Sequence, residues 1–65
     1  QYKEADKIYH VVMKFLPDNP TVFYNYGYLL FKTKEFKKAK EYADLAKKHG
    51  HPHKKLLSML KSKGY

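Results

Sequence analysis

Three histidines alternate with Gly50 and Pro52 in His49-Gly50-His51-Pro52-His53, the one cluster in this 65-residue chain with metal-ligand spacing. Imidazoles in a turn could take zinc, nickel or copper, but such rings hold a metal tightly only when a neighbouring acceptor orients them. No Asp, Glu or Cys stands beside these, so loop histidines without a metal are expected, and no cofactor is implied. Lys54, Lys55, Lys61 and Lys63 form a second constellation, able to attract nucleic acid, an anionic surface or an acidic protein at long range. The chain carries fourteen lysines and no arginine against six acids, for a net charge of +8. Arginine is the usual choice for bidentate phosphate recognition, so its absence favours a solvated lysine surface over nucleic-acid recognition. Catalysis has little to use: there is no cysteine, Ser58 and Ser62 lie among lysines, and Glu41 and Asp44 read as surface positions. Neither a phosphate-cradling glycine loop nor a nucleophile elbow occurs. An enzyme is not expected.

Sixty-five residues without cysteine allow one domain with a thin core and no disulfide staple. Seven tyrosines and four phenylalanines can fill that core with few side chains. The longest mainly apolar stretch, Thr21 to Phe31, falls well short of the roughly 20 residues of a membrane-spanning helix, so a soluble chain is expected. No secretory segment is visible, and cytoplasm is the default expectation. Gln1 in place of an initiating Met leads us to expect a piece of a longer protein.

The spacing of apolar residues predicts four helices. Ala5, Ile8, Tyr9, Val12, Phe15 and Leu16 fall at helical intervals over 2–16, and Pro17-Asp18-Asn19-Pro20 stops that helix and caps the next. From Thr21 to Thr33 the chain is apolar almost all round, which a helix tolerates only when covered on several sides. A third helix, Phe36 to His49, carries one stripe of Phe36, Ala39, Tyr42, Ala43 and Ala46 and should stop at Gly50. The fourth, expected from about His53 to Lys63, has Leu56, Leu57 and Leu60 on one face and reads as a polar-backed cap.

Residues 2 to 17 and 36 to 51 repeat one another at a spacing of 34, Tyr2 matching Phe36, Ala5 Ala39, Tyr9 Ala43 and Val12 Ala46. In Phe23-x-x-Tyr26-Gly27-x-x-Leu30 followed by Phe36-x-x-Ala39-x-x-x-Ala43-x-x-Ala46, the chain resembles the tetratricopeptide repeat. Residues 2–16 look like the second helix of a preceding repeat, 20–52 like a complete repeat, and 53–64 like a capping helix. The resemblance implies an all-α fold of antiparallel helix-turn-helix repeats, a right-handed solenoid fragment, with Gly27 facing Ala39 where the paired helices meet. It also implies a protein-interaction or assembly scaffold. Tyr24-Asn25 echoes the pentatricopeptide family, which reads single-stranded RNA, but the 34-residue spacing and the place of Gly27 fit the first family better.

At about 100° per residue, Phe23, Tyr26, Gly27 and Leu30 occupy one side of the central helix, and Tyr24, Tyr28 and Phe31, with Thr21 and Lys32, the next. Similar proteins bind peptides or helices in a concave groove lined by the first helix of each repeat. The resemblance thus makes Tyr24, Asn25, Tyr28, Phe31 and Lys32 the candidate partner-binding set, with the aromatics as anchors, Asn25 meeting a peptide backbone and Lys32 a carboxylate. Packing of the same aromatics against the first and fourth helices is the competing reading. The partner is expected to be a protein or peptide, and self-association through the helix at 2–16 is a further expectation, since part of its apolar stripe has nothing to cover it.

Overall fold

A computed structural model describes all 65 residues as four helices: α1, Tyr2–Phe15; α2, Pro20–Lys32; α3, Phe36–Lys48; and α4, Lys55–Ser62. The protein is all-helical. Each boundary has a local cause. Leu16, held before Pro17, leaves helical geometry (φ −129°, ψ 68°) and ends α1. The Asn19 side chain then accepts hydrogen bonds from the Thr21 and Val22 N–H groups at 3.0 and 3.2 Å, satisfying two free donors at the start of α2, with Pro20 at its first turn. Between α2 and α3, Lys34 takes a left-handed conformation (φ 66°), which costs a non-glycine residue about 1 kcal/mol, while Glu35 N–H donates to Leu30 O at 2.9 Å. Gly50 (φ 92°) closes α3, and His51 N–H donates back to Ala46 O at 2.9 Å.

The fourth helix is shorter than its apolar spacing suggests, beginning at Lys55 rather than His53. A residue before proline is disfavoured in helical geometry, which sets His51 against an early start, and the His53 N–H donates to His51 Nδ1 at 3.2 Å rather than entering a helix.

The core is built on α2 and α3. An added Cβ on Gly27 would lie 3.3 Å from Ala39 O and 3.4 Å from Ala43 N, so the two backbones touch where side chains are smallest. Ala39, Ala43 and Ala46 are buried along that seam. Ring contacts run in opposite order along the two helices, Phe23 meeting Tyr42 and His49 at 6.1 and 5.5 Å and Phe31 meeting Phe36 at 5.2 Å, which makes them antiparallel. Leu56 and Leu60 of α4 cap this pair and are fully buried. Only 10 of the 65 residues are buried, in a flattened body of 31 × 27 × 14 Å, so stability rests on a thin core.

Helix α1 has no buried residue. It leans on the core through Ala5, Tyr9 and Met13, all half-buried, while Tyr2, Ile8, Val11, Phe15 and Leu16 are exposed. Its apolar stripe is thus divided: one edge docks on α2 and the other meets solvent. No helix is long and apolar enough to cross a membrane.

Candidate partner-binding groove

On α2, Asn25, Tyr28 and Lys32 stand three and four residues apart, which stacks them on one face. Opposite them, Tyr2, Ala5 and Tyr9 of α1 form a second wall at the same helical rhythm, and Leu29 contributes to the floor. Together they enclose an open groove of about 380 Å³. Ala5 is what makes room, since a longer side chain there would reach into the space between the helices. The Lys32 ammonium lies 5.3 Å from the centre of the Tyr28 ring, close enough for a cation–π contact that holds the cation at the groove's end. Asn25 is exposed and presents an amide with both donor and acceptor.

The other two members of the candidate set go elsewhere. Tyr24 is stacked face to face on His51, with ring centres 4.2 Å apart and planes within 9°. Phe31 packs edge-on against Phe36, whose ring also meets Tyr65 at 5.7 Å. One aromatic stripe in the sequence is therefore three environments in the fold: a turn contact for Tyr24, a groove wall for Tyr28, and a helix–helix contact for Phe31. Tyr2, Ala5 and Tyr9, repeat positions outside the candidate partner-binding set, also line the groove. The signal was present, because Ala5 matches Ala39 in the repeat and marks a place where another backbone can come near.

A second polar arrangement lies on the other flank of α1. The Tyr26 hydroxyl donates to Asp6 Oδ1 at 2.6 Å, and His10 Nε2 approaches the same hydroxyl at 3.1 Å and Asp6 Oδ2 at 3.4 Å. With the Tyr26 proton committed to Asp6, the phenol oxygen is left to accept from the N–H of the His10 Nε2 tautomer. Burial, the hydrogen bond to Asp6 and that carboxylate's negative charge all push the Tyr26 phenol well above its ordinary value of 10.0. A phenol held this firmly in its neutral form is a tether between helices rather than a base or nucleophile. Asp6 and His10 border a cavity of about 580 Å³ with Lys38, Glu41 and Tyr42 of α3. A Tyr at a core position needs a partner for its hydroxyl, and an Asp and His four residues apart on α1 supply one.

The three histidines do not converge. His49 rests on Phe23, His51 on Tyr24, and the His51 and His53 rings are 5.2 Å apart, with no group of three His, Cys, Asp or Glu side chains disposed to hold a metal ion. Lys54, Lys55, Lys61 and Lys63 are exposed around α4 and belong to neither of the lysine–carboxylate ion pairs, which join Lys38 to Glu35 and Lys40 to Asp44. The structural contacts Phe23, Tyr26, Gly27, Leu30, Ala39, Ala43 and Ala46 are all buried.

No family model, curated protein or solved structure matches the chain.

Proposed function

We propose that this domain is a non-catalytic protein-interaction module of the tetratricopeptide-like helical kind, receiving a segment of a partner protein in the groove between α1 and α2. The observation that carries the reading is convergence: an aromatic ring, an amide and a cation from α2 face an apolar wall from α1 across one open groove. That combination suits a polypeptide ligand. The apolar wall supplies binding energy, while Asn25 and Lys32 fix direction and favour an acidic residue near Lys32. The test is selection of binders from a displayed random-peptide library against the folded chain. The selected peptides should lose affinity at least tenfold against Asn25→Lys or Tyr28→Ala; unchanged affinity would place the binding elsewhere.

A second reading is supported by the four lysines of α4, which are exposed and unpaired with any acid. Through Lys54, Lys55, Lys61 and Lys63 the domain would act as a basic adaptor for nucleic acid or an anionic surface. Four lysine point charges without arginine give attraction with little selectivity, and the groove therefore remains the principal proposal.

A further inference from the structure

Helices α1 and α3 both pack on α2 without meeting each other, so the cavity of about 580 Å³ is a trough between them, floored by Leu29 and Leu30. Half of the chain's six acids, Asp6, Glu35 and Glu41, border this trough together with Lys3, Lys7 and Lys38. It therefore stands near neutrality in a chain of net charge +8. Because α2 runs opposite to both neighbours, the starts of α1 and α3 lie at one end of the trough and Tyr26 at the other. The charges are sorted by end. Beside Tyr26 stand Asp6 and Glu41, with the Tyr26 and Tyr42 rings meeting edge to face at 4.7 Å. Asp6 accepts from the Tyr26 hydroxyl and faces His10 at 3.4 Å, but a carboxylate can accept further bonds, and Glu41 belongs to no ion pair. At the opposite end Lys3 opens α1, with Lys7 one turn on, and Lys38 is drawn toward the start of α3 by Glu35 at 3.9 Å. Along α1, Lys3 and His10 are seven residues apart, a trough length of about 10 Å.

We propose that this trough binds a small dipolar ligand carrying an ammonium at one end, a carboxylate at the other and an apolar spacer between them, the chemistry shared by free ω-amino acids and by the carboxy-terminal lysine of a polypeptide. The ammonium would lie between Asp6 and Glu41 against the half-buried Tyr42 ring, where charge pairing and the ring face act together. The carboxylate would meet Lys3 and Lys38, and the spacer would rest on Leu29 and Leu30. Neither charge alone fits as well: a simple amine meets Lys3, Lys7 and Lys38, and a simple acid meets Asp6 and Glu41, so each is opposed by like charge. Asn25 and Tyr28 stand on the opposite flank of α1 and contribute nothing here, so the inference is independent of the groove reading.

The probe is ε-aminocaproate, titrated into the isotopically labelled chain and followed by amide chemical shifts, with hexylamine and hexanoate as single-charge controls. Saturable binding is expected, with shifts at Lys3, Thr33, Lys38 and Tyr42 and none at Asn25, and with either control at least tenfold weaker. The exposed residues Glu41 and Lys38 can be changed without disturbing the core, and Glu41→Gln and Lys38→Gln should each weaken binding at least threefold. Hexylamine or hexanoate binding as tightly as ε-aminocaproate would overturn recognition of the paired charges. Shifts confined to Asn25 and Tyr28, unchanged affinity in both variants, or no saturable shift at all would overturn the site. A peptide ending in lysine, compared with its carboxamide and with free lysine, separates the two sources. Tighter binding of the free-acid peptide than of free lysine assigns a chain terminus and the reverse order a small molecule, each upholding the site, whereas a carboxamide that binds as well as the free acid overturns the carboxylate end.

Discussion

The Tyr26 hydroxyl reaches from α2 to the Asp6 carboxylate of α1 across 2.6 Å, and with His10 it makes the side-chain hydrogen bonds that tie α1 to its neighbour. A helix without a buried residue depends unusually on such a tie. Tyr26→Phe keeps the ring contacts with Tyr9 and Tyr42 but removes the hydroxyl, and should cost about 1 to 3 kcal/mol, the usual worth of a hydrogen bond to a charged group. Denaturant melts give the magnitude, and amide exchange gives the place: α1 amides should lose protection before those of α3. Uniform loss along the chain would mean that α1 is held by packing alone.

The same tyrosine sets an alkaline limit. Its folded-state affinity for the proton is raised above the unfolded value of 10.0, first by burial and then by Asp6. A raised value means that the folded chain holds the proton more tightly, so the contribution is complete below pH 10 and is lost as pH climbs beyond it. Absorbance titration of tyrosinate should show one ring of the seven ionising only as the helical signal collapses. Full titration of all tyrosines with the helices intact would refute the buried hydrogen bond.

Much of this was legible from residue spacing. Asn19 and Pro20, Gly50, and the Gly27–Ala39 meeting follow from local rules, because caps, left-handed stops and close helix crossings each demand particular small or polar residues. The fate of the Tyr24, Tyr28 and Phe31 stripe was less legible, since helical periodicity assigns a face but not what a turn folds over it. His51 stacks on Tyr24 while its Nδ1 accepts from the His53 N–H, a contact between positions distant in sequence with no local signature. The Asp6–Tyr26–His10 tie was hidden for the same reason.

Gly27 has no room for a larger side chain. Its Cβ direction meets Leu56 Cδ2 at 3.0 Å and the α3 backbone at 3.3 and 3.4 Å, and only the leucine can yield. Gly27→Leu should destabilise the fold by about 3 kcal/mol, which a thin core does not absorb, and a circular-dichroism melt should show a severely lowered or absent transition. A melt that overlays the unmodified chain would show the α2–α3 contact to be wrong.

The exposed edge of α1, with Ile8, Val11 and Phe15 open to solvent, should also drive reversible self-association at high concentration. Sedimentation equilibrium should show a mass rising with concentration, and Ile8→Lys should return the chain to monomer without lowering its melting temperature. A strictly monomeric chain across the full range would indicate that these side chains are covered in solution.

The central claim is that a partner polypeptide binds between α1 and α2, and the most direct measurement is the affinity of library-selected peptides as a function of salt, for the unmodified chain, for Tyr28→Ala, and for a variant with Lys54, Lys55, Lys61 and Lys63 changed to Gln. A groove anchored by Tyr28 and apolar side chains predicts an affinity that shifts by less than about tenfold between low and high salt, a large loss in Tyr28→Ala, and little change in the lysine variant. A steep linear fall of log affinity with log salt, abolished in the lysine variant and untouched by Tyr28→Ala, would contradict the account and assign the binding to the basic face of α4.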